Sequence, residues 1–381
     1  MRDRVSEREK FVISASYYAN VAVNPEKRNE ILELWIRTYP REGIPHNMLG
    51  GRYFTIGQFE KAIEEYRESI RLNPNYAFTY ANLALAFIRL NRFDEAREIC
   101  ERTLLQKLDS PFRHNLLYQL AFIQGDEAEM RRQIDWATGK PTEYLMVNLQ
   151  SESAAFSGRL REAHQLSRRA TELAARRNLL EYAGGQTALT AEWSAVLGDC
   201  RQAREDIARA SAYPRSPFSL VRTSLAHALC GEVRQAQTLT DEIVRQYPGE
   251  PIVEVLIPLA QAAIEIRRRN RAQALQILQS VSRYESASYF WQTYLRGQIY
   301  LSEKKGAEAA AEFQKILDHR GWSTASVFYV PAHLWLARAA VIQGDLAKAR
   351  KSYQDFFALW KDADPDLPIL IEAKKEYEKV K

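Results

Sequence analysis

The sequence is poor in the residue patterns that mark metal sites, disulfide scaffolds and membrane spans. Its 381 residues include only three cysteines, Cys100, Cys200 and Cys230. An odd number of widely spaced cysteines fits neither a zinc site nor a disulfide framework. We therefore expect reduced and partly buried thiols.

Long hydrophobic runs are also missing. The most apolar window, residues 251–264, contains Glu254, and three consecutive arginines follow it closely. The window is too short to cross a membrane, and the charged N-terminal residues lack the apolar stretch of a signal peptide. We expect a soluble and, by default, cytoplasmic chain without a membrane contact of its own. It would lie outside the cytoplasm only if a longer parent protein carried a membrane helix upstream.

Charge of one sign does not dominate the sequence. The 53 lysines and arginines and the 48 aspartates and glutamates give a formal net charge of +5. This balance is far from the charge density of a nucleic-acid binder, so we expect no direct nucleic-acid partner. The hydrophobic content of 46% is sufficient for a folded core.

Motifs for catalysis and cofactor binding are missing as well. Gly139-Lys140-Pro141-Thr142 resembles a fragment of a phosphate-binding loop. However, Ile134 stands where that motif needs its first glycine, and Pro141 would disrupt the backbone amides that hold the phosphate. The six histidines include no pair four residues apart, the spacing of a helical metal site. The sequence therefore predicts no catalytic residue, no metal site and no cofactor.

What the sequence does contain is a repeat. Residues 47–66 and 81–100 are similar, with Leu49 matching Leu83 and Ala62 matching Ala96. A fixed period of this length is typical of stacked helical arrays, in which each unit contacts its neighbours. Because no segment shows the sustained alternation of a β-strand, we expect helices only.

Two kinds of residue mark the repeat along the chain. A small residue recurs where the predicted second helix of each pair crosses the first, with one methionine among the alanines: Ala62, Ala96, Met130, Ala163, Ala203, Ala236, Ala274, Ala309 and Ala349. A turn residue that tolerates a positive φ precedes many of them: Gly57, Asn91, Gly125, Gly158, Gly198, Gly231 and Gly344. The spacing of these residues predicts about ten helical pairs.

One unit carries a recognisable motif. Its members are Leu49, Gly50 and Tyr53 in the first helix, Ala62 and Tyr66 in the second, and Pro74 at the end. This pattern resembles the tetratricopeptide repeat. The resemblance implies an all-α fold, a right-handed superhelical α-solenoid of about ten antiparallel helix pairs with a C-terminal capping helix. It also implies a protein or peptide partner in the concave groove.

The ends of the array differ from its middle. We expect residues 366–381 to form the capping helix, because the last hydrophobic face of an array needs a polar cover. Residues 11–365 would form the solenoid. The charged residues 1–10 read as the tail of a truncated or preceding helix, which suggests a chain cut from a longer protein.

A narrower resemblance involves five stretches, residues 6–11, 34–41, 116–126, 309–321 and 353–370. They are similar to the carboxy-terminal repeat region of bacterial, acidobacterial-type serine/threonine protein kinases, and related regions follow winged-helix regulators. The sequence has no Gly-rich loop, V-A-I-K lysine or D-F-G motif of a kinase. The resemblance therefore implies a non-catalytic sensor or docking region in serine/threonine kinase signalling. The alternative is the regulatory repeat region of a transcriptional regulator without its DNA-binding domain.

Three asparagines are the first candidates for partner binding. Asn47, Asn82 and Asn115 lie on or near the predicted concave face of three successive units. Asparagine amides can bond the backbone of an extended peptide without reading its sequence. The alternative is a polar face in contact with solvent only.

A second group of candidates lies near the far end of the array. Trp291, Tyr294 and Gln298 of one first helix, and Trp335 and Arg338 of the next, point inward by their spacing. Trp, Tyr and Arg are frequent anchors at protein interfaces. The alternative is that these aromatic side chains fill the gaps between repeats.

Overall fold

The computed structural model describes residues 5–20, 24–248 and 251–381, and this part of the chain contains helices and no strand. Its α-helices form ten antiparallel pairs, followed by a final helix. The predicted α-solenoid of about ten pairs with a C-terminal helix is therefore confirmed.

The bounds of the helices follow the repeat. The first helices of the pairs are α1 (Glu7–Asn20), α3 (Gly43–Thr55), α5 (Ala77–Arg89), α7 (Pro111–Gln124), α9 (Glu143–Phe156), α11 (Leu180–Val196), α13 (Pro217–Leu229), α15 (Pro251–Arg267), α17 (Trp291–Ser302) and α19 (Tyr329–Gln343). The second helices are α2 (Pro25–Thr38), α4 (Phe59–Leu72), α6 (Phe93–Leu105), α8 (Glu127–Ala137), α10 (Leu160–Ala175), α12 (Cys200–Ala210), α14 (Val233–Gln246), α16 (Arg271–Ser280), α18 (Gly306–Asp318) and α20 (Leu346–Leu359). The final helix is α21 (Pro368–Tyr377), and 3₁₀ segments lie at Ser282–Ala287 and Arg320–Trp322.

The ends of the array can be compared with their predicted bounds. Helix α1 begins at Glu7, so the predicted boundary after residue 10 falls inside a helix that pairs with α2. Residues 1–4 of the predicted tail lie outside the described residues. Helix α21 lies within the predicted cap, residues 366–381.

The small residues that mark the repeat are buried as their pattern predicts. All eight alanines of the series have no exposed surface: Ala62, Ala96, Ala163, Ala203, Ala236, Ala274, Ala309 and Ala349. Met130, the larger exception, keeps part of its side chain at the surface. A methyl group allows the two helices of a pair to pack closely, which explains why alanine recurs at this point of the repeat.

The turns between paired helices use a left-handed residue. Gly57, Gly125 and four other predicted glycines have φ between +71° and +88°, and Asn91 has φ of +59°. Glycine adopts this conformation without steric cost, and asparagine adopts it more readily than most residues. Arg269 and Lys304 take the same role in two turns that the sequence pattern did not identify.

The first helices form the inner layer of the superhelix. Successive first helices, such as α5, α7 and α9, pack side by side, while the second helices cover them from outside. The superhelix also closes on itself. Ser286 donates a hydrogen bond to the carbonyl of Gly57 (3.1 Å), and Trp360 donates one to the carbonyl of Phe156 (2.9 Å). Segments that are distant in the sequence therefore meet across the interior.

The cysteines differ from their expected state. A disulfide bond joins Cys200, the first residue of α12, to Cys230, the C-cap residue that directly follows α13. The expectation of three reduced thiols is wrong because adjacent repeats bring these Cα atoms to 5.5 Å, within disulfide range. Cys100 is a buried free thiol, and burial raises its pKa to about 12.

No helix in the described ranges, 5–20, 24–248 and 251–381, combines the length and the hydrophobicity that a bilayer crossing requires.

The substitution Ala62→Arg tests the helix crossing. A long charged side chain would enter a site with no exposed surface, so we expect the free energy of unfolding to fall by about 3 kcal/mol or more. Urea denaturation followed by circular dichroism measures this change. Glu64→Arg, at an exposed position of the same helix, is the control and should change stability by less than about 0.5 kcal/mol. Equal effects of the two substitutions would contradict the packing described.

The combined substitution Cys200→Ser and Cys230→Ser tests the disulfide. Its removal should lower the free energy of unfolding by about 3 kcal/mol, because the bond closes a loop with a sequence separation of 30 residues. Denaturation with and without a reductant gives the measurement. The reductant should destabilise the wild type and leave the double variant unchanged, whereas a wild type that ignores the reductant would show that the bond does not form.

Candidate functional site

Two of the predicted asparagines meet on the inner layer. The side-chain amide of Asn82 on α5 donates a hydrogen bond to the side-chain oxygen of Asn47 on α3 (3.1 Å). Asn115 lies on the next first helix, α7, and its side chain is half-buried, as are those of the other two. The structure therefore places all three on neighbouring first helices and directly links the first two. Their role in binding stays a prediction.

A row of exposed apolar side chains runs beside these asparagines. Ile44, Phe78 and Phe112 are each the second residue of a first helix, and they are 43%, 41% and 46% exposed. They lie three or four positions before the asparagines and so share their helix face. The rings of Phe78 and Phe112 contact each other edge to face, with centroids 5.6 Å apart. We call Ile44, Phe78 and Phe112 the apolar row.

The apolar row was missed in the sequence, although a signal for it exists. Its members recur at the period of the repeat itself, at the same position in three successive units. Such a pattern does not by itself distinguish a buried face from an exposed one. Tyr144 on α9 and Tyr182 on α11, both half-buried, contact each other with ring centroids 5.0 Å apart.

The other end of the inner face is occupied by the chain itself. Residues 318–328, which we call the inserted segment, lie against the C-terminal ends of α5 and α7. The side chain of Asn91 donates to the carbonyl of Asp318 and accepts from the backbone N–H of Gly321, both at 2.7 Å. Arg89 donates to the carbonyls of Gly321 and Trp322. The inserted segment is thus held by its backbone.

Further contacts fix the position of the inserted segment. The guanidinium of Arg320 donates to the carbonyl of Ile123 (3.2 Å) and lies over three aromatic rings, those of Phe122, Phe156 and Tyr329. A Cβ atom on Gly321 would lie 1.8 Å from the carbonyl oxygen of Ile88, so only glycine allows this approach. The inserted segment therefore occupies part of the inner face, at the C-terminal ends of α5 and α7.

The aromatic candidates of the far end belong to the core. Trp291 and Trp335 are each only 2% exposed, and Tyr294 is buried as well. The ring of Trp335 packs against those of Tyr294 (4.9 Å) and Phe313 (5.2 Å). The expectation that these three side chains line an open groove is corrected, because the first helices of the last pairs bury their inner faces against neighbouring elements.

The two polar candidates of the far end remain nearer the surface. Arg338 forms ion pairs with Glu372 and Glu376 of α21, each at 3.0 Å. Gln298 and Arg338 line the same depression between α17, α19 and α21. The ion pairs give Arg338 a structural role, since they join the last pair of helices to the final helix.

Several protein-family models match the repeats of this chain. Family models described as "TPR repeat" and "Tetratricopeptide repeat" match residues 50–91 and 79–104. A model described as "Tetratricopeptide repeat protein 21 ARM repeat" matches residues 142–315.

Two curated relatives match short segments. The chain is 32% identical over 59 residues to the Hsp70-Hsp90 organising protein of Plasmodium falciparum (isolate 3D7), covering 16% of this chain and 10% of that protein. It is 46% identical over 48 residues to an uncharacterized protein of Methanocaldococcus jannaschii, covering 13% of this chain and 56% of that protein. The chain thus spans less than two thirds of either relative.

Two solved structures align with most of this chain. Yeast Tom70 aligns with 98% of this chain and 96% of its own, at 14% identity and a TM-score of 0.38. The APC/C hetero-tetramer Cut9-Hcn1 aligns with 99% of this chain and 64% of its own, at 10% identity and a TM-score of 0.49.

The family models, the period of the repeat and the paired helices agree with one another. These two models together cover residues 50–104, which include Asn82 and Phe78. The chain contains tetratricopeptide repeats.

Proposed function

We propose that this chain is a non-catalytic scaffold that binds an extended segment of a partner protein along the open part of its inner face. The observation that carries the proposal is the exposed apolar row beside the hydrogen-bonded Asn47 and Asn82. Exposed apolar side chains in a contiguous row cost free energy in water, and a partner that covers them recovers it. Tetratricopeptide repeats are protein-interaction modules, which supports the same conclusion.

The chemistry of the partner follows from the two kinds of side chain. The apolar row favours aromatic or aliphatic side chains spaced along the segment, and the asparagines favour its backbone amides. The inserted segment provides a precedent within the same molecule. There, one asparagine, Asn91, already bonds a backbone N–H and a backbone carbonyl of an irregular segment.

A more specific proposal concerns the signalling pathway in which the chain acts. We infer a sensor or docking region associated with serine/threonine kinase signalling from the five stretches that are similar to kinase-linked repeat regions. Two of these stretches, residues 116–126 and 309–321, meet in the closed superhelix through Arg320 and the carbonyl of Ile123. This contact supports the view that the similar stretches preserve a shared closure. The second candidate, supported by the same stretches, is the repeat region of a transcriptional regulator.

The combined substitution Phe78→Ser and Phe112→Ser tests the proposed function. Peptides are first selected from a random library on the immobilised wild-type chain, and their affinities are then measured by fluorescence anisotropy. Because two members of the apolar row are lost, we expect the double variant to bind the selected peptides at least about tenfold more weakly. Circular dichroism should show unchanged folding, since both side chains are exposed.

The matched control is Leu359→Ser, which removes an equally exposed apolar side chain from α20, outside the inner face. It should leave the affinities unchanged. Failure to select any peptide, or equal affinities of the double variant and the wild type, would refute binding at the apolar row. A serine/threonine kinase that is captured by the wild type and lost by the double variant would support the kinase pathway, whereas a DNA-binding regulator lost in the same way would support the alternative.

A further inference from the structure

A polar cavity lies at the centre of the closed superhelix. Its volume is about 200 Å³, and its walls come from α5, α7, α9, α11, α13, α15 and α17, with the inserted segment on one side. The cavity is separate from the apolar row, none of whose members lines it.

Four charged side chains face this cavity: Arg89, Glu152, Glu192 and Arg222. Their formal charges sum to zero, so a ligand with a net charge would leave the interior with a buried net charge. A zwitterion would not. The cavity therefore favours a ligand that carries both an anionic and a cationic group.

Three of the four charged groups already have hydrogen-bond partners. Arg89 holds the backbone of the inserted segment. Glu192 accepts a hydrogen bond from the indole N–H of Trp291 (3.2 Å), and Glu152 accepts one from the amide of Asn148 (2.7 Å). In each carboxylate, Oε1 is the oxygen that accepts the hydrogen bond.

Arg222 is the charged side chain with unsatisfied hydrogen-bond donors. Among the residues that the structure describes, no hydrogen-bond acceptor reaches its buried Nε or Nη1 atoms. The closest carboxylate oxygen, Oε2 of Glu192, lies 3.6 Å from Nη1, beyond a direct hydrogen bond. The guanidinium is held in place over the ring of Phe218, 4.3 Å from its centroid. A buried, positioned guanidinium with free donors is suited to a carboxylate.

The rest of the wall has two further properties. Burial raises the pKa of both Glu152 and Glu192, because it disfavours their ionised forms. An ammonium group beside them would offset that cost of burying the charged carboxylates. The apolar side chains of Leu189, Val221 and Leu225, on the same helices as Glu192 and Arg222, also line the cavity. An aliphatic group of the ligand would pack there without leaving a polar atom unpaired.

We propose that this cavity binds a free α-amino acid with an aliphatic side chain. Its carboxylate pairs with the guanidinium of Arg222, and its ammonium group lies toward Glu152 and Glu192. Its side chain contacts the apolar wall of α11 and α13. Binding is non-covalent, and it is independent of the partner segment proposed for the apolar row.

The test is isothermal titration calorimetry of the intact chain with L-alanine, L-valine and L-leucine. We expect saturable binding of at least one of them. 4-Methylpentanoate, which lacks the ammonium group of leucine, and isoamylamine, which lacks its carboxylate, should each bind at least about tenfold more weakly than the best amino acid. Absence of saturable binding by all three amino acids, or equal binding of 4-methylpentanoate, would overturn the proposal.

Substitutions locate the binding site. Arg222→Gln and Glu152→Gln should each weaken binding of the best amino acid about tenfold or more, while the matched surface controls Arg245→Gln and Glu181→Gln should not change it. If Arg222→Gln does not fold, the Glu152→Gln variant and the two leucine analogues that each lack one charged group still decide the outcome. Unchanged affinity in a folded Arg222→Gln or Glu152→Gln variant would place the ligand elsewhere and refute the site.

Discussion

The docking of the inserted segment on the ends of α5 and α7 is the contact on which the rest of the structure depends. An open solenoid would expose the inner faces of all its first helices, and here Asn91 and Arg89 bind the backbone of residues 318–328 across that interior. The contact joins units that are far apart in the sequence, on opposite sides of the interior. It needs Gly321, because any side chain would collide with the carbonyl of Ile88.

Closure divides the inner face into two parts with different chemistry. Near the N-terminal ends of the first helices, Ile44, Phe78 and Phe112 remain at the surface and can be covered by another chain. Deeper in the superhelix, charged residues such as Arg222 and Glu192 face a cavity that is partly open to solvent. Buried donors without an acceptor are costly, which is why the N–H groups of Arg222 point to a ligand. One fold thus offers an extended surface and a small pocket.

The candidate site was predicted in part. Asn47 and Asn82 were expected on one face, and the structure joins them by a hydrogen bond, because the neighbouring first helices α3 and α5 pack against each other. Trp335 was expected to lie in the groove and lies in the core instead. The neighbouring pairs and Phe328 bury its side chain. The apolar row was overlooked for the converse reason, since its residues look like core residues and lie at the surface.

The sequence by itself determined what is local: the period of the repeat, the buried alanines such as Ala62 and the positive-φ turns. Each depends on contacts within one unit or between neighbouring units, which a repeat encodes directly. Only the tertiary structure decided the closure, the Cys200–Cys230 bond and the exposure of each inner-face residue. The physical reason is that small rotations between ten successive pairs add up along the chain. Their sum sets the path of the superhelix, and no single motif records it.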